Sequence, residues 1–302
     1  MVKKGRRPRS SLGDAPIEPL RFSNPRHPRF EFEILSLAEL RRRVPRRHSQ
    51  VHKRLDFHQL LLVESGLIEH NVDFERHRCG AGSVLHVRPG QVQRFLRNAD
   101  AQGWAILFCS EFLPADPLLE VRLGPADAAL ISLPRERIPS ISSTARALAA
   151  AYDVADGQAV SLQELRHLLS ALVLQVIRAH DEVWHRASRV EPRILSTYRR
   201  FLQDLEGHFA QSRNATDYAA RTGCSIRTLS RACETLAGSS PKNLIEKRVT
   251  LEAKRLLAHS SLSVSAIGNA LGFSEPTNFV KFFRRCEGRT PAAFRREGGF
   301  DA

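Results

Sequence analysis

The spacing of apolar residues changes twice along this chain, and each change marks a different kind of structure. From Phe30 to about Phe112 the pattern is that of strands. RLDFHQLLLVESG (54–66) is an apolar run ending in a turn, and LIEHNVDFERHRC (67–79) alternates with period two. GAGSVLHVRPGQVQRFL (80–96) breaks short β-branched runs with Gly and Pro-Gly, and WAILFCSEFL (104–113) supplies a last strand. Short strands at this spacing predict a small β-sandwich or barrel.

Between Pro125 and Trp184 the period becomes helical. Ser142 or Ser143 can open one helix, running to about Tyr152. Ser161 with Glu164 has the form of a capping box for the next. That second helix would carry Leu162, Leu165, Leu168, Leu169, Leu172, Val176 and Ile177 on one broad apolar face. A face so wide must be covered, either by the strand-rich region or by a second copy of the chain.

The last third holds two segments with the same grammar. In TDYAARTGCSIRTLSRACETL (216–236) and VSAIGNALGFSEPTNFVKFFRRC (264–286), a short helical pattern reaches a Gly, turns, meets a Ser and continues as a basic helix. Gly permits the left-handed residue that ends a helix, and Ser caps the next one. This predicts two helix-turn-helix units, preceded by a helix over 192–209 with Leu195, Tyr198, Leu202 and Leu205 as core, and joined by a helix over 241–258. The first unit would use Thr216 and Ser225 as caps and bury Ile226, Leu229 and Cys233. The second would use Ser274 as cap and bury Val264, Ile267, Leu271, Phe273, Phe279, Phe282 and Phe283. Arg227, Thr228, Ser230 and Arg231, and Thr277, Asn278, Val280 and Lys281, are then the candidates for base edges in a groove. Arg284, Arg285 and Arg289 suit phosphates. A connector of that length spans about 27 Å at about 1.5 Å per residue, enough to hold two recognition helices near one turn apart where successive major grooves on one DNA face are about 34 Å apart.

Composition agrees with a nucleic-acid partner. The 302 residues carry a net charge of +14, basic at both ends and slightly acidic between, as expected of a chain that meets phosphates. Residues 1–29 are rich in Arg, Pro and Ser, which predicts a disordered basic tail that aids solubility more than it touches DNA. The tail is followed by no apolar segment of signal-peptide type, and no apolar run reads as a bilayer span. The five cysteines show no CxxC spacing and read as reduced, buried residues of a cytoplasmic protein.

The C-terminal region resembles the DNA-binding domain of AraC/XylS-type transcription regulators. The resemblance rests on IRTLSRACETLAGSSPKNLIEKRVTLEAKRLL, the ALGF turn at 270–273, the N-F-x-K-x-F-x-R run from Asn278, and GRTPAAFR at the end. It covers about the last hundred residues. RLDFHQLLLVESGLIEHNVDF and GSVLHVRPGQVQRF are similar to the cupin-like effector domain of the same family. The resemblance implies an α+β chain with a cupin-like β-barrel over 30–124, a helical linker or dimerisation region over 125–191, and two helix-turn-helix units over 192–302. It further implies double-stranded DNA as partner, with a small-molecule effector, RNA polymerase and a homodimer in view. Three departures stand out. Cys233 replaces an aromatic, Lys281 replaces an Arg and so weakens bidentate guanine contact, and Gly268 replaces an alanine. Gly costs on the order of 1 kcal/mol against Ala in a helix, which predicts a looser second unit.

A cupin-like fold raises the question of a metal enzyme. His58, His70, His77 and His86 form no His-x-His, and Gln93 stands where metal cupins tend to place a last His. There is no Gly-rich phosphate loop and no nucleophile setting. No cofactor, no metal and no catalytic residue is therefore expected. His58, His70, Arg88 and Gln93 are the polar candidates for an effector pocket.

Overall fold

The computed structural model describes residues 18–43, 52–97, 100–115, 119, 123, 129–188 and 191–296. The basic tip at 1–17 lies outside them. The chain is α+β, with a sheet-rich N-terminal region, two long helices packed on it, and an all-helical C-terminal region.

The strands are β1 (Glu18–Leu20), β2 (Phe32–Ser36), β3 (Lys53–Leu55), β4 (His58–Ser65), β5 (Leu67–Val72), β6 (Glu75–Gly80), β7 (Ser83–Val87), β8 (Val92–Arg97), β9 (Gln102–Phe108) and β10 (Leu130–Ser132), with helix α1 (Leu37–Arg43) after β2. They form two five-stranded sheets, ordered β1-β3-β8-β5-β6 and β10-β7-β4-β9-β2. Among the described residues no ladder joins the sheet ends, so the expected barrel is here a sandwich of two open sheets. Its last strand, β10, comes from beyond residue 124 and pairs antiparallel with β7.

The apolar run of β4 has a simple cause. Leu61 and Val63 pack between the sheets with Leu85, Val87, Ile68 and Phe95. Leu60 and Leu62 point the other way, onto Ile106, Phe108 and the helices behind. A strand buried on both faces needs apolar residues at every position, not every second one.

Residues 18–29 do not continue the tail as their composition suggested. β1 pairs parallel with β3, and Asn24 is a buried hub. Its Nδ2 donates to the Phe32 carbonyl at 2.7 Å, and its Oδ1 accepts from the Tyr152 hydroxyl at 2.9 Å. One well-placed amide ties this segment to the core, where bulk composition does not register it.

Helix α2 (Ile138–Val154) begins earlier than the Ser142 or Ser143 start, with Pro139 in its first turn. Helix α3 (Ala159–Ser188) contains Ser161 rather than being capped by it; that hydroxyl donates to Asp156 Oδ1 at 2.7 Å. Over Ala159–Glu182, α3 is long and apolar enough to cross a membrane by length and composition, contrary to the sequence reading. Its Leu165, Leu169, Leu172 and Val176 are instead buried against α2 and the second sheet. Intrachain packing thus covers much of the broad apolar face.

The C-terminal region comprises α4 (Pro192–His208), α5 (Ala215–Arg221), α6 (Ile226–Ala237), α7 (Pro241–His259), α8 (Val264–Ala270), α9 (Pro276–Glu287) and α10 (Pro291–Arg296). Phe201, Leu205, Tyr218, Leu229, Ile245, Val249, Ile267, Phe279, Phe283 and Phe294 share one core. The connector α7 runs through that core, so the two helix-turn-helix units are one folded body.

Candidate nucleic-acid interface

Both units are built by local rules. In the first, α5 is capped by Asn214, whose side chain accepts from Thr216 N at 3.2 Å. The cap is thus Asn214 and not Thr216. Gly223 turns the chain at φ +66°, and Ser225 Oγ accepts from Thr228 N at 3.1 Å to start α6. In the second, Ser263 caps α8 and Gly272 turns at φ +76°. Helix α9 then opens at Pro276 after Glu275, which occupies the cap position expected of Ser274 and makes no side-chain cap bond. Proline at the first helical position lacks the amide that a cap would have to satisfy.

Burial separates core from interface. Leu229 and Cys233 of α6 and Phe279, Phe282 and Phe283 of α9 are buried. Burial pushes the Cys233 thiol up to about 12, so it acts as a small apolar residue. Ile226, expected inward, is 42% exposed at the start of α6. Of the cysteines, all are free, but Cys286 is exposed and Cys109 and Cys224 are half-buried.

Arg227, Thr228 and Arg231 are exposed on α6, with Ser230 half-buried. Thr277, Asn278, Lys281 and Arg284 are exposed on α9, with Val280 half-buried. Among the described residues no carboxylate forms an ion pair with Arg227, Arg231, Lys281 or Arg284. Arg285 differs: its guanidinium meets Glu246 of α7 at 3.0 and 3.2 Å, and it belongs to the connector as much as to the surface.

Two features of the second unit are invisible in a motif. Gly268 is buried, and a Cβ there would come within 3.1 Å of Phe279 Cβ. Glycine thus lets α8 and α9 approach closely, the reverse of the looser unit expected from helix propensity. Arg213, in the loop before α5, donates to the carbonyls of Leu271 and Gly272 at 3.1 and 3.0 Å and lies 3.9 Å over the Phe273 ring. It braces the first unit against the turn of the second.

The four effector candidates fall in two places. His70 and Gln93 lie between the sheets. His70 is fully buried, neither ring nitrogen has a hydrogen-bond partner, and burial lowers its pKa to about 3. Gln93 lines a cavity of about 270 Å³ with Glu33, Gln59, Arg43, Phe57 and Phe95. The buried Glu33 Oε1, Gln59 Nε2 and Gln93 Oε1 have no partner, which leaves one donor and two acceptors for a guest. His58 and Arg88 lie elsewhere, lining a cavity of about 740 Å³ between the sandwich and α7. His58 Nδ1 stands 3.0 Å from His86 Nε2, and burial lowers the His58 pKa to about 4. Sequence reasoning missed Glu33 and Gln59. The signal for Gln59 was slight: it is a polar residue directly before the apolar run Leu60–Val63 of a strand buried on both faces.

Two exposed basic helices held on one core make the geometry of a DNA-binding protein. Residues 218–297 match the helix-turn-helix domain model. Curated relatives include the HTH-type transcriptional activator RhaS of Klebsiella pneumoniae (strain 342), 23% identical over 83% of this chain and 89% of that one. RhaS of Escherichia coli O139:H28 is 26% identical over 76% and 82%. Together with the C-terminal motifs these matches support an AraC/XylS-type regulator. Among solved structures, the DNA-binding domain of AdpA in complex with a target DNA is 31% identical over 35% of this chain and 92% of that one, with a TM-score of 0.31. ToxT from Vibrio cholerae is 10% identical over 88% and 98%, with a TM-score of 0.41.

Proposed function

We propose that this chain is a cytoplasmic, effector-responsive transcription activator that lays α6 and α9 in adjacent major grooves of double-stranded DNA. The observation that carries this reading is the pair of exposed helix faces, Arg227–Arg231 and Thr277–Lys281, joined through one core by a connector of 19 residues. At about 1.5 Å per residue such a helix spans about 28 Å, close to one turn of B-DNA. Arg227 and Arg231 present forked donors suited to guanine edges. Thr277, Asn278 and Lys281 are shorter or single-point contacts, so the first unit supplies more of the base discrimination. Arg284 acts on phosphates, with Arg285 and Arg289 beside it.

The effector enters the cavity between the sheets, where Glu33, Gln59 and Gln93 offer unpaired polar atoms among phenylalanine rings. A guest bearing both hydroxyl or amide donors and an acceptor satisfies them. A homodimer, built on the exposed remainder of α3, and RNA polymerase complete the partners of this reading. The activator names of the RhaS relatives support activation over repression.

The test is selection of bound DNA from a random pool, followed by binding of the selected site by Arg227→Ala and Thr277→Ala proteins. A changed preference at positions one helical turn apart supports the reading. Unchanged preference in both variants overturns the groove assignment.

A further inference from the structure

One buried ion pair joins the two regions. Asp73 sits in the β5–β6 turn with φ +54°, and Arg255 projects from α7, which carries both recognition helices. The guanidinium donates to both carboxylate oxygens: Nε to Oδ1 at 3.0 Å and Nη2 to Oδ2 at 2.7 Å. The two residues are 6% and 7% exposed. Such a pair is unlike a surface ion pair, because losing either partner leaves the other charged and dry.

The carboxylate is also wired into the sandwich. Gln91 Nε2 donates to Asp73 Oδ2 at 2.8 Å, and the Val92 amide donates to Oδ1 at 3.2 Å. Val92 opens β8, and the next residue on that strand is Gln93, a wall of the inter-sheet cavity. On the other side, Arg255 Nη1 donates to Glu252 Oε2 at 3.2 Å, and Glu252 also reaches Arg54 of β3 at 3.9 Å. Phe74, the neighbour of Asp73, meets Phe294 edge-on at 6.0 Å with Lys254 over its ring at 4.4 Å. The remaining space between the regions is open, with crevices of about 750 and 740 Å³ flanking the contact. Arg199 of α4 also pairs with Asp181 of α3, but both are partly exposed; the Asp73–Arg255 pair is the buried one.

We propose that Asp73 and Arg255 form an interdomain latch that couples the sandwich to the DNA-binding body. The latch transmits in both directions, since coupling between two sites is reciprocal. DNA bound at α6 and α9 stabilises the sandwich through it. A guest that displaces β8 at Gln93 changes the position of the Asp73 carboxylate and hence of α7. This second direction rests on the effector reading above; the latch itself does not.

Two readouts on the full chain test it. Calorimetry without DNA gives one cooperative unfolding transition for the parent chain and two for Asp73→Asn and Arg255→Met. Asn keeps the left-handed turn, and Met keeps an unbranched apolar stem. Hydrogen exchange with selected DNA gives protection of β5, β6 and β8 in the parent, and in the variants that protection falls by roughly five-fold or more. The double variant is no worse than either single one, because both remove the same contact. Arg255→Lys, which retains charge but not the fork, behaves as Arg255→Met does; it keeps the test open should the Met variant fold poorly. One shared transition and undiminished protection in the variants overturn the latch. Failure of every form to bind DNA would instead overturn the DNA reading, and calorimetry would still judge the latch.

Discussion

Gly272 lies so close to the carbonyl of Ala210 that a Cβ built on it would stand 1.8 Å from that oxygen. The turn of the second helix-turn-helix unit thus rests directly on the end of the first unit's entry segment. Arg213 completes the contact by donating to the Gly272 carbonyl. Gly272→Ala must move backbone against backbone and also hold a side chain at φ +76°. We predict a loss of at least about 2 kcal/mol in urea unfolding, with loss of DNA binding at physiological temperature.

Gly268 poses the opposite balance. Alanine gains about 1 kcal/mol of helix propensity, but its methyl meets Phe279 Cβ at 3.1 Å. Overpacking of this kind costs about 1–3 kcal/mol. Gly268→Ala is predicted to destabilise slightly, by no more than about 2 kcal/mol in chemical denaturation.

The surface residues divide by what they touch. Arg284→Ala is predicted to weaken all DNA sequences about equally and to reduce the slope of log K against log salt by about 0.9, the loss of one phosphate contact. Arg227→Ala instead relaxes preference at one base pair, at a cost of about 1–3 kcal/mol for the favoured site. Titrations at several salt concentrations separate the two. Arg285→Ala disturbs α7 as well, because it releases Glu246.

Much of this organisation is legible in the sequence. Both helix-turn-helix units follow from local chemistry: Ser225 and Pro276 start helices, Gly223 and Gly272 end turns, and the Phe spacing of α9 marks its inner face. The four effector candidates were not legible as a site, because parity along β4 and β8 assigns a face but not which side of a sheet encloses a cavity. His58 and Gln59 are adjacent, yet one lines the cavity beside α7 and the other the inter-sheet space. The latch was legible least of all. Asp73 and Arg255 are far apart in the chain, and each alone reads as a solvated charge. The ordered segment 18–29 escaped for a similar reason, since Asn24 acts through Tyr152 of a distant helix.

The buried histidines set an acid limit on the sandwich. His58 has a folded pKa lowered to about 4, and His86 lies well below its ordinary value, both chiefly through burial. The unfolded chain therefore takes up protons first. Stability is full above about pH 6.5 and falls as pH drops from there towards 4. His58 alone contributes roughly 3 kcal/mol to this fall. Urea midpoints measured across that range should decline in the parent and decline less steeply in His58→Asn.

The inter-sheet cavity makes a separate prediction. Gln59 Nε2 is buried without a partner, so Gln59→Leu removes a desolvated donor at little change in shape. It should leave the chain equally stable or stabilise it by about 1 kcal/mol, while abolishing the thermal shift given by any small molecule that stabilises the parent. A destabilised variant that keeps its ligand response would move the effector out of this cavity.

On the proposed reading α6 and α9 enter two successive major grooves from one face of DNA. Guanine-methylation interference on a selected site tests it most directly. Two patches of interference are expected about 10 base pairs apart on one face, with the patch under α6 lost in Arg227→Ala and that under α9 altered in Thr277→Ala. A single patch, or two patches indifferent to both substitutions, would contradict it.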